Sequence, residues 1–122
     1  MSEDFIRIMH AFFLPAAERC VDSPWCPAAD VYRGRHGWLV KYELAGVRPD
    51  DLELTALGKR LTLRGVRRDS TALEGCHYYQ MEIAYSHFER SLTLPCDLER
   101  ADITTEYRDG MLLVRIQDGG AS

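Results

Sequence analysis

One stretch, residues 88–116, constrains the fold most, because it alternates apolar and polar side chains three times in succession. Its first segment places four side chains on one face of an extended chain: Phe88, Arg90, Leu92 and Leu94. Residues 103–107 and 112–116 repeat the alternation, and Asp109-Gly110 lies between them. That dipeptide favours a two-residue type I′ turn, which requires positive φ at both positions. The stretch therefore predicts three β-strands, of which the last two form a hairpin.

Four upstream segments show the same period of two: residues 30–33, 38–44, 52–56 and 60–64. Each has one apolar face, and short turns containing Gly or Pro separate them. No segment between the strands is long and periodic enough to be a crossover helix, which argues against a βαβ fold. Seven short strands of this kind predict an all-β, immunoglobulin-like sandwich of two sheets.

The N-terminal segment differs from the rest, because its apolar side chains follow a helical period. Six of them cover one broad face: Phe5, Ile6, Ile8, Met9, Phe12 and Phe13. Two interpretations stay open, a core helix packed on a sheet and an exposed arm whose aromatic face binds a partner. Pro24 and Pro27 mark a boundary before the first strand. The predicted organisation is an amphipathic helical arm (1–27), a β-domain (28–117) and a short flexible tail (118–122).

Charge and cysteine content restrict the partners and the cellular compartment that the sequence predicts. The net charge is −4, and its 15 basic and 19 acidic side chains are dispersed, so neither nucleic acid nor a membrane is an expected partner. Acidic residues stand where a secretory signal carries Lys or Arg, which predicts a cytoplasmic protein. The four cysteines form no C-x-x-C pair or zinc-finger spacing, and we expect their thiols to be reduced.

No residue pattern supports catalysis or cofactor binding. The four histidines lie far apart in sequence, and no Gly-rich phosphate loop is present. Cys76 and His77 are adjacent, so in a strand they point to opposite faces and cannot act as a pair. We therefore predict a binding protein with no catalytic residue, no metal site and no cofactor.

Two motifs in the C-terminal half resemble a known family. Phe88-Glu89-Arg90 is followed by Leu94-Pro95, and Thr105-x-x-x-Asp109-Gly110-x-Leu112 follows at the family's spacing. Together they resemble the signature of the small heat-shock proteins of the bacterial type, which are ATP-independent chaperones built on the alpha-crystallin domain. Glu43-Leu44-Ala45-Gly46-Val47 and Leu61-Thr62-Leu63-Arg64-Gly65 extend the resemblance, which covers residues 27–117.

The resemblance implies a holdase that binds unfolding proteins, prevents their aggregation and forms a homodimer by strand exchange. The 22 residues between Gly65 and Phe88 would then supply a strand, around 78–82, that pairs with residues 30–33 of a second subunit. A local flap is the other interpretation of that long link. The implied dimer-interface residues are Val31, Tyr32, Tyr78, Tyr79, Met81 and Arg90.

Other implied sites are a groove and the N-terminal arm. The family's C-terminal tail docks between two strands in an edge groove, here corresponding to Leu52, Leu54, Ile103 and Thr105. No aliphatic pair follows Ile116, so we expect dimers or small oligomers, with a groove open to clients or to other small heat-shock proteins. The six apolar residues of the arm are the implied client-binding surface. The alternative function is a non-enzymatic adaptor or cochaperone module that binds one specific folded partner.

Overall fold

The computed structural model of the protein describes residue 20 and residues 23–71 and 74–118. The predicted helical arm therefore lies almost entirely outside the described residues, and its conformation stays a prediction. The described chain forms seven strands: β1 (Ala29–Arg33), β2 (Gly37–Glu43), β3 (Leu52–Leu57), β4 (Arg60–Val66), β5 (His87–Thr93), β6 (Asp102–Arg108) and β7 (Met111–Gln117). Two short 3₁₀ turns, Pro49–Asp51 and Leu98–Arg100, precede β3 and β6.

The strands form two antiparallel sheets. One has four strands in the order β1-β2-β7-β6, and the other has three in the order β3-β4-β5. This arrangement confirms the predicted all-β sandwich of two sheets. Among the described residues, β1 and β6 are the edges of the larger sheet and β3 and β5 are the edges of the smaller one.

The hairpin between β6 and β7 forms where the sequence predicts it. Asp109 has φ of 54° and Gly110 has φ of 77°, so both turn positions are left-handed, as a type I′ turn requires. The turn also supports the connection after β2, because the Leu44 amide donates a hydrogen bond to the Gly110 carbonyl at 2.7 Å. The turn therefore fixes the β2–β3 connection as well as the hairpin register.

The core consists of the inward-facing residues of the alternating strands. Val40 and Tyr42 on β2, Leu61 and Leu63 on β4 and Val114 on β7 are completely buried. Each buried aliphatic side chain of this size stabilises the fold by roughly 1.5–3 kcal/mol. The alternation in the sequence thus corresponds to burial between the two sheets.

Tyr42 is an exception within this apolar core, because it carries a hydroxyl group. No described side chain or backbone group lies within hydrogen-bond distance of that hydroxyl. Burial raises the pKa of Tyr42 well above its ordinary value of 10.0, although the positive charge of Arg90 offsets part of the shift. The hydroxyl therefore stays protonated in the folded protein over the physiological pH range.

We predict that Tyr42→Phe stabilises the protein by about 1 kcal/mol, because it removes a buried polar group without leaving a partner behind. In the wild type the unfolded chain ionises Tyr42 above about pH 10 while the folded chain does not, so stability falls as the pH rises. The variant should lose that part of the alkaline dependence. Urea unfolding at pH 7 and pH 10.5 measures both effects, and a variant less stable than wild type at pH 7 would contradict the prediction.

Candidate interaction surfaces

The first candidate surface is the outer edge of β1. This strand pairs with β2 along its whole length, with Val31 opposite Val40 and Tyr32 opposite Leu39. No described strand pairs with its other side. Val31 and Tyr32 are 38% and 45% exposed, although both are large and apolar. An edge strand of this kind offers backbone donors and acceptors to an added strand.

The second candidate surface is the long segment between β4 and β5, which we call the β4–β5 loop (residues 67–86). No strand forms within its described parts, residues 67–71 and 74–86. Four of its large apolar side chains are between 50% and 101% exposed: Tyr78, Tyr79, Met81 and Ile83. Exposed apolar groups clustered in one segment indicate a surface that binds another chain. Pairing of residues 78–82 with a second subunit stays a prediction.

The base of the β4–β5 loop is held in place by its first residue. The backbone amide of Arg67 donates to the Ser86 carbonyl at 2.9 Å, which extends the β4–β5 ladder by one pair. The Arg67 Nε donates to the Ala84 carbonyl, also at 2.9 Å. Both ends of the loop are therefore joined at the sandwich, while its apolar residues lie further out in sequence.

Residues 20 and 23–27, which we call the strap, lie against the same end of the sandwich. The Ser23 hydroxyl donates to the His87 carbonyl at 2.8 Å. The Trp25 ring meets Phe88 edge-on, with the two centroids 5.1 Å apart. Gly65 permits this packing, because a Cβ there would lie 2.7 Å from Phe88 Cζ. The strap thus packs against the aromatic ring of Phe88, a core residue.

A disulfide joins Cys20 and Cys26 within the strap, whose Cα atoms are 5.5 Å apart. The expectation that these two thiols are reduced is therefore wrong for this structure. No cysteine motif predicts this bond, because a local bridge requires only that the two Cα atoms, six positions apart in sequence, lie within disulfide range. Cys76 is a free, exposed thiol and Cys96 a free, half-buried one. Burial, with the nearby Asp118 and Asp97, raises the pKa of Cys96.

Arg90 lies on the inward face of β5, as the alternation predicts, and is half-buried. Its Nη1 donates to the carbonyl of Pro27 at 2.7 Å, and Pro27 is itself fully buried. The sequence could not identify this partner, because a carbonyl 63 residues away carries no sequence signal. Arg90 therefore anchors the end of the strap to β5, and its predicted role at a subunit interface stays a prediction.

The predicted edge groove involves β3 and β6, which are edge strands of opposite sheets. Leu52, Leu54 and Ile103 are half-buried, whereas Thr105 is exposed. The turn after β3 and the 3₁₀ turn before β6 are linked, since the Gly58 amide donates to Glu99 Oε2 and the Leu98 amide donates to the Gly58 carbonyl, both at 2.8 Å. These contacts bring the two edges together at one end. Docking of a tail there stays a prediction.

Within residues 20, 23–71 and 74–118, no three His, Cys, Asp or Glu side chains lie close enough together to hold a metal ion. No helix in those ranges is long and apolar enough to cross a membrane.

Trp25 and Arg67 are the residues that sequence reasoning missed. The Arg67 guanidinium carbon lies 3.8 Å from the Trp25 ring centroid, a close stacking contact. A tryptophan between two prolines in an assumed boundary segment was the available signal, since tryptophan is rarely left without packing partners. Nothing in the sequence singles out Arg67, because Arg68 follows it directly and the pattern does not distinguish the two arginines.

Comparisons with known proteins agree with this architecture. Residues 30–120 match the Hsp20/alpha crystallin family. A protein named small heat shock protein C4, from Rickettsia felis, is 29% identical over 90 residues, which are 74% of this chain and 55% of that protein. The chain spans about half the length of the curated relatives it matches.

Solved structures show the same fold. A small heat-shock protein from Xylella fastidiosa superposes with a TM-score of 0.66 at 26% identity, over 80% of this chain and 90% of that one. Heat shock protein 16.0 from Schizosaccharomyces pombe superposes with a TM-score of 0.72 over 87% of this chain and 83% of that one. Its identity is 23%, so this second likeness concerns the fold alone.

Proposed function

Because the chain belongs to the Hsp20/alpha-crystallin family, we propose that it is an ATP-independent holdase chaperone that binds unfolding proteins and prevents their aggregation. The observation that carries the proposal is the match of residues 30–120 to the Hsp20/alpha crystallin family, and the four large apolar side chains of the β4–β5 loop that are at least half exposed support its association with other chains. Exposed apolar side chains of this size bring no benefit to a protein that stays monomeric. A protein that binds other chains buries them in the complex.

The proposed mechanism requires no enzymatic step and no cofactor. An unfolding protein exposes apolar surface, and each Å² that becomes buried against the chaperone contributes roughly 25 cal/mol. Binding lowers the concentration of free aggregation-prone chain by mass action. The same physical effect stabilises the dimer, so one class of interaction serves both assembly and client capture.

We assign the dimer to strand exchange. In this arrangement residues 78–82 of one subunit add to the free edge of β1 in the other. Val31, Tyr32, Tyr78, Tyr79 and Met81 would form the apolar contact, and two-fold symmetry would make the pair self-complementary. Support comes from the unpaired β1 edge and from the exposure of the loop side chains within one subunit. Other small heat-shock proteins are further candidate partners, through the groove of β3 and β6.

The organisation proposed for the chain separates two tasks. Residues 1–27 form the arm that binds clients through its apolar face, residues 28–117 form the domain that dimerises, and residues 118–122 form a flexible tail. We place the protein in the cytoplasm, where unfolding clients are produced. The described end of the arm segment, the strap, would then attach the client-binding part to the sandwich.

Light scattering of heat-labile enzymes tests the function. Three unrelated clients are heated with and without the protein, in the absence of ATP, with serum albumin as the inert control. Suppression of scattering for all three at near-equimolar ratio is the expected result. Suppression of none contradicts the holdase and favours an adaptor module that binds one folded partner.

We predict that deleting residues 1–19 leaves a folded dimer with at least a fivefold loss of holdase activity, because the apolar arm face is removed and the strap is kept. The activity is measured with the scattering assay and the oligomeric state by sedimentation velocity. Replacing Phe5, Phe12 and Phe13 together by Ser is the matched control and should reproduce the loss. Full activity in both variants would place client binding elsewhere, whereas an unfolded truncation would mark the arm as a core element.

A further inference from the structure

Three separate segments of the chain meet at the side chain of Arg67, which directly follows β4. They are the strap, the connection after β2 and the last residues of the β4–β5 loop. We propose that Arg67 is a positioning residue that joins the strap to the base of this loop, and so fixes where the loop leaves the sandwich to reach a second subunit. The inference rests on the proposed strand-exchange dimer.

The hydrogen bonds of Arg67 run to backbone carbonyls of two segments. Its Nε donates to Ala84 at 2.9 Å, and its Nη1 lies 3.5 Å from the carbonyl of Ala45. The Arg67 backbone amide adds the 2.9 Å bond to Ser86. Ala84 and Ser86 are the final residues of the loop before β5, so these bonds fix its return path to the sandwich.

The same guanidinium lies over two aromatic rings. Its carbon lies 3.8 Å from the centroid of Trp25 in the strap and 5.9 Å from that of Tyr85 in the loop. Trp25 in turn packs edge-on against Phe88 in the core. The contacts therefore form a continuous chain from the core, through the strap, to the loop.

This arrangement requires an arginine. A guanidinium is planar, so it donates hydrogen bonds within its plane while its two faces remain available for stacking. A lysine ammonium has no face to stack and cannot present two donors in that fixed geometry. We therefore expect Arg67→Lys to weaken the dimer as Arg67→Ala does, although lysine keeps the positive charge.

The neighbouring Arg68 provides an internal control. It lies on the outside, its side chain is 59% exposed, and it pairs with Asp51 at 3.2 Å. Arg67 and Arg68 have the same charge and are adjacent in sequence, and of the two only Arg67 contacts the strap and the loop end within the described part of the chain. A role of charge alone would make the two residues equivalent.

The arrangement also predicts that the strap and the loop respond to each other. The Cys20–Cys26 disulfide closes the strap into a small ring that includes Trp25. A change that displaces Trp25 removes the stacking surface of Arg67 and thereby loosens the Ala84 contact. Such coupling is reciprocal between the two segments.

The test compares dimer dissociation constants of the full chain by sedimentation equilibrium for Arg67→Ala, Arg67→Lys, Arg68→Ala, Trp25→Leu and the Trp25→Leu/Arg67→Ala double variant. Leucine keeps the apolar contact with Phe88 and removes the stacking ring. We expect at least a tenfold weaker dimer for both Arg67 variants and for Trp25→Leu, and at most a twofold change for Arg68→Ala. The double variant should be no weaker than the worse single one, because both changes break the same contact.

Hydrogen exchange supplies a second measurement that a general loss of stability would not reproduce. Protection of the residue 67 amide, which donates to the Ser86 carbonyl, should fall in the Arg67 variants and in Trp25→Leu, while protection of β2 and β7 is unchanged. If Arg67→Ala does not fold, the Arg67→Lys variant and its exchange pattern decide the matter.

The outcomes separate the two proposals. A wild-type chain that stays monomeric at all concentrations contradicts the strand-exchange dimer, and with it this role of Arg67. A dimeric wild type whose affinity is unchanged in Arg67→Ala, or changes equally in Arg68→Ala, overturns the inference about Arg67 and leaves the dimer standing. Additive effects in the double variant also overturn it.

Discussion

Replacing residues 70–83 by a two-residue Asn-Gly turn is expected to convert the proposed dimer into a monomer. The change removes the four exposed apolar side chains of the β4–β5 loop together with the backbone that would pair with β1 of the second subunit. Exchange of a strand contributes both hydrogen bonds and apolar burial, so no part of that interface survives. We expect the affinity to fall by at least three orders of magnitude.

The sandwich itself should tolerate this replacement. The register of β4 and β5 already reaches Val66 opposite His87, and the Arg67 amide bonds to Ser86 beyond it. Continuing the two strands into a tight hairpin therefore extends an existing ladder, and a two-residue type I′ turn suits its twist. Ala84 remains in place to accept the Arg67 Nε bond.

Sedimentation velocity at micromolar concentration gives the oligomeric state, and circular dichroism verifies the β-fold. The matched control keeps the loop length and replaces Tyr78, Tyr79, Met81 and Ile83 by Ser. If the apolar contacts dominate, the control is also monomeric, and if backbone pairing dominates, it retains a weaker dimer. A shortened variant that stays dimeric would place the interface on another surface and refute strand exchange.

The strands could be predicted from the sequence because a half-buried strand leaves a period of two in the chain. Residues 52–56 and 60–64 were predicted as strands, and the structure extends them to Leu52–Leu57 and Arg60–Val66. The small differences occur at strand ends, where backbone pairing continues although the side chains no longer alternate between apolar and polar. The hairpin turn was predictable because Asp-Gly supplies positive φ at both positions.

The strap could not be predicted, because its contacts depend on tertiary position. Ser23, Trp25 and Pro27 follow no period, and each is held by a residue more than 40 positions away in sequence. The Cys20–Cys26 bond likewise matches no recognised cysteine motif. The loop strand differs again, since its proposed partner belongs to a second subunit and a single chain gives it nothing to pair with.

The contrast between Arg90 and Arg64 gives the second large expected effect. Both arginines lie in the smaller sheet, Arg64 on β4 and Arg90 on β5. Their positions in the register are adjacent, since Leu63 lies opposite Arg90 and Arg64 lies opposite Glu89. Arg90 faces the core, and its Nη1 donates to the buried carbonyl of Pro27. Arg64 faces solvent, where it pairs with Glu89 at 2.6 Å and Glu53 at 3.5 Å. The two differ in burial, since Arg90 is half-buried and Arg64 is exposed.

Arg90→Ala should therefore lower the free energy of unfolding by roughly 1.5–3 kcal/mol, because it leaves the Pro27 carbonyl buried without its charged donor. In a domain of this size each kcal/mol corresponds to about 4–8 °C in Tm. Arg64→Ala should change the Tm much less, because exposed ion pairs compete with water and are screened by salt.

The proposed interface role of Arg90 adds the expectation that Arg90→Ala also weakens the dimer more than Arg64→Ala does. Urea unfolding of the two variants at one fixed protein concentration measures the first effect. Sedimentation equilibrium over the same concentration series for both variants measures the second. Equal unfolding free energies and equal dimer affinities would mean that Arg90 acts as an ordinary surface arginine, and that the strap is held on the sandwich by Trp25 and Ser23 instead.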